Sequence, residues 1–482
     1  MSELIFRTAS DLARLIREKK ASALEILEAH LNQIAKYNPR LNAIVTLNEE
    51  DARQRALEAD AALAKNKSWG PLHGVPVTIK DVFETAGLRT TSSFKPLENY
   101  IPEQDATVVA RLRQAGAIIL GKTNMPMLAL DIQCDSPIFG RANNPWDIAC
   151  TTGGSTGGGA ASIAAGLSPL EIGSDLGGSV RIPAHFCGVL ALKPTDHLVS
   201  LAGHIPEPPG SPQGVRHMGM PGPLARSVED LRLALSLIAG MDGRRWEVPP
   251  VPMTPVQRKP LKEYRFAWTD NFGSVAASQD TQASLHKLAD DLTRAGCTVE
   301  QAAPPDFDFD LAWQLYGEIA GAEVGSGMET IPRYLTRLQF QRMQDPSPLK
   351  SGYVHGLSLK MNRYAEALTK RDRLISQLEA FLSQWDAWLC PVTVGSAFRH
   401  CKTGQPIEID GQDVPYFTAN MSFTTIFNMT GNPVVVLPAS QSKGGLPIGI
   451  QVVGRLWKDM ALLSVAEALT DIIGVFQAPS GF

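Results

Sequence analysis

The stretch "LEIGSDLGGSVRIPAHFCGVLALKP" (170–194) holds two short apolar runs, "LEIGSD" and "VLALKP", divided by a glycine-rich turn. Runs of the same texture begin near residue 70, as "VPVTIK" and "AIILGKT", and return late in the chain as "WLCPVT", "VVVLPAS" and "IGIQVVG". Strands buried on both faces read as nearly continuous apolar runs, and their alternation with helical or Gly-rich stretches points to an α/β sheet covered on both sides.

The flanks read differently. Residues 1–65 read as helices: Ser22 with Glu25 forms a capping box ahead of "ALEILEAHLNQIAKY", in which Leu24, Ile26, Leu27, Leu31 and Ile34 recur near helical spacing. Residues 311–385 are expected to be mostly helical, with the amphipathic "YAEALTKRDRLISQLEAFLSQW" the clearest piece. "IPEPPGSPQG" (205–214) and "EVPPVPMTPVQRKP" (247–260) read as loops, but strand-like runs resume beyond 260 and need neighbours in the same sheet. The expectation is one domain over 1–482 with long loops rather than two domains.

Composition narrows the function classes. The 482 residues are 44% hydrophobic and 20% charged with a formal net charge of −4, which gives no chain-wide attraction for nucleic acid or an anionic membrane. The N-terminal segment interleaves acidic and basic residues with apolar ones, and no 18-residue apolar run follows, so neither export nor membrane spanning is indicated and a cytoplasmic protein is expected. Cysteines 134, 150, 187, 297, 390 and 401 form no C-x-x-C pair, which suggests reduced thiols rather than a zinc site or a disulfide framework.

Two serines compete for the role of nucleophile. "GGSTGG" (153–158) places Ser155 in a G-x-S-x-G context, but a nucleophile elbow needs a strand directly upstream and "NNPWDIACTT" offers at best a weak one. A phosphate loop needs G-x-x-x-x-G-K-[ST], and no Lys follows Gly157–Gly159. An isolated Gly/Ser run would be a packing loop. A third segment, "GPLHGVPVTIKDVFETAG", brings Lys80 to the end of an apolar run beside Asp81.

Taken together, "PLHGVPVTIKD", "GGSTGGGAASIAAG" and "GSDLGGSVRIPAHFCGVLALKPT" resemble the amidase signature family in order and in the spacing 80, 155, 179. The segments "GKTNMPMLALDIQCDSPIFGRANNPW" (121–146) and "GNPVVVLPAS…GLPIGIQVVGR" (431–455) extend the likeness. The resemblance implies a single large α/β/α domain with a central mixed β-sheet covered by helices on both faces. Its parts would be a signature core at 70–240, a variable helical segment at 311–385 closing the substrate pocket, and C-terminal strands at 385–470.

The resemblance makes Ser179 the nucleophile, Ser155 the bridging serine after a cis Gly154–Ser155 peptide, and Lys80 the base. Such a base works only when neutral, and lowering it from about 10.4 to near 7 needs roughly 4 kcal/mol of disfavour for the ammonium, which burial supplies. Backbone N–H groups of Leu176, Gly177, Gly178 and Ser179 would form the oxyanion hole. Asp175 and Arg181 would hold the nucleophile's loop, and His73 and His185 would be positional. Leu128, Ala129, Asp131, Ile132 and Gln133 would line the acyl pocket, the last polar contacts coming from Asp131 and Gln133. Thr156 departs from the family's commoner second serine.

No metal or organic cofactor is called for. The expected partner is a small-molecule amide, with no nucleic acid or membrane and with room for a homodimer. A stand-alone amide hydrolase is the first reading. The A chain of a glutamyl-tRNA amidotransferase, also in the family, is the second, and a catalytically dead scaffold the third.

Overall fold

In the computed structural model, which describes residues 2–205 and 213–482, an 11-stranded sheet runs through the molecule. The expected loop at 205–214 lies mostly outside the described residues. The strands are β1 (Ile44–Leu47), β2 (Pro76–Lys80), β3 (Ile118–Thr123), β4 (Leu170–Asp175), β5 (Leu190–Lys193), β6 (Met220–Ala225), β7 (Arg265–Trp268), β8 (Thr298–Gln301), β9 (Ala387–Pro391), β10 (Val434–Gln441) and β11 (Pro447–Val453). Their order is β1-β3-β2-β4-β6-β5-β10-β11-β9-β7-β8. Pairing is parallel for β3-β2-β4 and β9-β7-β8 and antiparallel elsewhere, so the sheet is mixed.

Strand alternation separates two apolar layers. On β10, Val435 and Leu437 belong to the apolar layer that holds Leu27, Leu231, Leu288 and Leu463, while Val434 and Val436 belong to the one that holds Ile163, Phe186, Ile319 and Leu378. The first layer belongs to helices α1 (Ala23–Leu41), α4 (Val228–Ile238), α5 (Gln279–Arg294) and α10 (Asp459–Ile473). The second belongs to α2 (Gly157–Ala164), α3 (Arg181–Cys187), α6 (Phe309–Ser326) and α9 (Met361–Leu382), with α7 (Thr330–Arg342) and α8 (Pro348–Gly356) outside them. The α/β expectation holds. Among the described residues no helix is long and apolar enough to cross a membrane.

The capping box at the start of α1 forms as expected: Glu25 N donates to Ser22 Oγ at 3.0 Å and Ser22 N to Glu25 Oε2 at 2.8 Å. Two strands escaped the pattern. Ile44–Leu47 interrupts the all-helical reading of 1–65, because four residues at a sheet edge are too short to show a period. "MPGPLA" carries two prolines, which disfavour a central strand, yet it is β6 in the sheet's middle. Its ladder with β5 covers only Ala225 and Leu224, so Pro221 and Pro223 lie past the end of that pairing.

Candidate active site

Lys80 ends β2 and Ser174 nearly ends β4, its parallel neighbour, with Ile79 opposite Ile172. Both side chains therefore emerge at the carboxyl edge of the strands, where α/β sheets place their sites. Lys80 is fully buried, and its Nζ lies 2.6 Å from Ser155 Oγ, 3.1 Å from Ser174 Oγ and 3.4 Å from Ser174 O. These three oxygens match the three valences of the nitrogen. In the neutral amine, two N–H groups serve Ser174 and the lone pair is left for Ser155.

Burial pushes the Lys80 ammonium down to about 7, against the opposing pull of Asp175, Cys134 and Glu171. Ser174, whose hydroxyl was not singled out from the sequence, is thus a second direct partner of the lysine. Its signal was available inside "GSDLGGS".

Ser155 precedes α2, and the Gly154–Ser155 peptide is cis. The glycines that follow are required by packing rather than by an anion: a Cβ on Gly158 would lie 2.5 Å from Ala43 O and from Asn124 N. Thr156 keeps two links to the neighbouring turn, its N–H donating to Ser179 O at 3.0 Å and its hydroxyl to Ser174 O at 3.4 Å.

Ser179 sits on the turn between β4 and α3, half-buried, and lines the same cavity as Ser155. Asp175 organises this turn. Its carboxylate accepts from Gly178 N at 2.8 Å, Val180 N at 3.0 Å, Asn428 Nδ2 at 2.9 Å, and Arg181 Nε and Nη2 at 3.0 and 2.9 Å. Arg181 in turn donates to Thr424 O at 2.9 Å and Gln451 Oε1 at 2.8 Å. Burial alone would raise the Asp175 carboxyl, but Arg181, Asn428 and the Val180 N–H outweigh it and hold the group well below the usual carboxylate range.

This arrangement corrects the sequence-based oxyanion hole. The Gly178 N–H is committed to Asp175 and is not free for substrate. Leu176, Gly177 and Ser179 keep N–H groups without a protein acceptor among the described residues.

The cavity, of about 390 Å³, is walled mostly by apolar side chains, among them Phe94, Leu128, Leu201, Val215, Met220 and Val324. Leu128 and Ala129 belong to this wall as expected. Asp131, Ile132 and Gln133 do not. Asp131 accepts from Tyr416 Oη at 2.8 Å and Thr403 Oγ1 at 2.5 Å, Ile132 is packed in the second apolar layer, and Gln133 Nε2 donates to Cys401 O at 2.9 Å. The positive φ of Leu128 (50°) and Ala129 (60°) turns the chain here, so a contiguous segment presents only its first part to the cavity. Gln133→Ala is expected to cost about 1–3 kcal/mol of stability, as a lower urea midpoint. Acyl-size preference should stay unchanged; a changed preference at unaltered stability would return Gln133 to the pocket.

The histidines are structural or displaced. His73 Nε2 meets Ala59 O at 3.1 Å; His185 bridges Gly395 O at 3.0 Å and Gly449 N at 2.6 Å. His204 reaches the cavity wall, but burial, with Lys80 and Arg245, lowers it to about 3, and no hydrogen bond joins it to either serine. A larger cavity, about 590 Å³, opens between α6, α7, α8 and α9 and contains none of Lys80, Ser155 and Ser179.

Against known proteins, the profile described as Amidase matches residues 25–463. The indoleacetamide hydrolase of Bradyrhizobium diazoefficiens is 34% identical over 97% of this chain and 87% of its own. The A chain of the glutamyl-tRNA(Gln) amidotransferase of Heliobacterium modesticaldum is 31% identical over 98% of each. Among solved structures, 6-aminohexanoate cyclic dimer hydrolase with bound substrate superposes with a TM-score of 0.81 at 25% identity, covering 99% of both chains.

Proposed function

The chain belongs to the amidase family, and from that premise we propose that it hydrolyses a carboxylic amide to the acid and ammonia or an amine, through an acyl-enzyme on Ser179. The observation that carries the reading is the 2.6 Å contact of a buried Lys80 with Ser155, in a cavity wall shared with Ser179. Strands from both ends of the chain share the sheet, which supports one catalytic domain.

In this reading Ser179 Oγ attacks the amide carbon while its proton passes to Ser155, whose own proton passes to the lone pair of Lys80. The carbonyl oxygen becomes an oxyanion held by the N–H groups of Leu176, Gly177 and Ser179. As the C–N bond breaks, the proton returns from Lys80 through Ser155 to the departing nitrogen. Water then attacks the ester by the same relay and releases the acid and free Ser179. The apolar wall favours an aryl or alkyl acyl group.

A fluorophosphonate probe is expected to label Ser179, with the added mass on the peptide containing "GGSVR". Labelling at Ser155 instead would reinstate the elbow reading. The similarity to amidotransferase A chains over the whole length favours a second reading, a component of an amidotransferase. The purified chain and a panel of amides graded in acyl size separate the two. Release of ammonia or amine from apolar amides by the chain alone supports the hydrolase. Release from glutamine only in the presence of partner chains would replace it.

A further inference from the structure

The three N–H groups left for an oxyanion, those of Leu176, Gly177 and Ser179, lie in peptide planes whose carbonyls are all engaged, that of Asp175 by Asn428 Nδ2 at 3.4 Å. A trans peptide is planar, with C=O and N–H on opposite edges, so a partner on the carbonyl fixes where the N–H points. The Gly178 carbonyl, across from the Ser179 N–H, accepts from Ile182 N at 2.7 Å, a bond within the turn itself. The Leu176 carbonyl, across from the Gly177 N–H, accepts from Tyr316 Oη at 3.1 Å, and Tyr316 lies 140 residues away on α6.

The intervening plane is different. Its Gly177 carbonyl accepts from Thr424 Oγ1 at 2.8 Å, but its N–H belongs to Gly178 and is spent on Asp175. We propose that Tyr316 is a positioning residue of the oxyanion hole, its phenol fixing the Leu176–Gly177 peptide so that the Gly177 N–H meets the developing charge.

The surroundings suit that task. Tyr316 is buried, and a Cβ on Gly177 would come within 2.5 Å of its hydroxyl, so the contact leaves no room for another arrangement. One turn earlier on the same helix face, Trp313 Nε1 donates to Ser422 O at 2.9 Å and anchors α6 beside Thr424. Two turns later, Glu323 and Val324 of α6 wall the substrate cavity. The helix that reads the bulk of the acyl group is therefore the helix that holds the oxyanion turn. A hydrogen bond to the carbonyl also polarises the amide and strengthens its N–H as a donor.

The inference rests on the acyl-transfer reading. Its test uses the second-order rate of fluorophosphonate labelling at Ser179, which needs a nucleophile and an oxyanion hole but no known substrate. Rates are normalised to the folded fraction from circular dichroism. Tyr316→Phe is expected to label about 10-fold more slowly and to lower kcat for amides by a similar factor, with KM and the midpoint of the pH profile unchanged. Thr424→Val, which frees a carbonyl whose plane offers no N–H to substrate, is expected to slow labelling less than Tyr316→Phe does.

Labelling of Tyr316→Phe at the wild-type rate overturns the inference, as does equal slowing in Tyr316→Phe and Thr424→Val, which would make the effect general loosening of the turn. A wild-type enzyme that is not labelled at Ser179 overturns the acyl-transfer reading and this inference with it.

Discussion

Lys80→Ala is expected to lower kcat/KM for an amide by about 10²–10⁴-fold or more, because in the proposed mechanism the same group takes the proton of Ser179 through Ser155 and returns it to a poor amine leaving group. Esters of the same acid should lose less, since an alkoxide needs protonation less than an amine anion. The pH profile supplies the sign. Lys80, lowered by burial to about 7, is protonated and inactive below that pH and neutral above it. For the wild type, kcat/KM should rise about tenfold per pH unit up to about pH 7 and then level off. In Lys80→Ala that limb should vanish with the rate. A variant that keeps the limb near pH 7 and the amide rate would transfer the base to another residue, and the Lys–Ser–Ser mechanism would have to be given up.

Asp175→Asn is expected to destabilise the protein by about 3–5 kcal/mol, since it leaves the buried Arg181 guanidinium without its countercharge. The change keeps the shape of the side chain but weakens the acceptor that holds Gly178 and Val180, so amide turnover should fall as well. Urea unfolding at neutral pH reads the first effect and kcat the second. The acid limb gives an independent check. A carboxyl whose folded pKa lies below its unfolded value of 3.8 contributes stability that is complete above about pH 4 and fades as pH falls toward the lowered value. That contribution should be missing in Asp175→Asn. A loss under about 1 kcal/mol would mean that Asn428, Gln451 and Thr424 satisfy Arg181 without the aspartate.

The sequence by itself determined the α/β class, the strands at 76–80, 118–123, 170–175, 190–193, 387–391, 434–441 and 447–453, and the pairing of Lys80 with Ser155. These were legible because strand period, glycine turns and motif order are local properties of the chain. The Met220–Ala225 strand was not, since its prolines disfavour a central strand and only the limited reach of the β5 ladder makes room for them. Tertiary structure alone decided which backbone N–H groups remain for substrate. Gly178 looks equivalent to Gly177 in "DLGGSVR", and only the approach of the Asp175 carboxylate sets them apart.

Tertiary structure also decided that Leu128 and Ala129 face the cavity while Asp131, Ile132 and Gln133 face Tyr416, Cys401 and the second apolar layer. It likewise brought Tyr316, Thr424 and Gln451 onto the turn of the nucleophile from 140 to 270 residues away. No spacing within the motif encodes those contacts. They follow from how two helices and a strand pack across the sheet, and packing of that kind depends on the whole chain having folded.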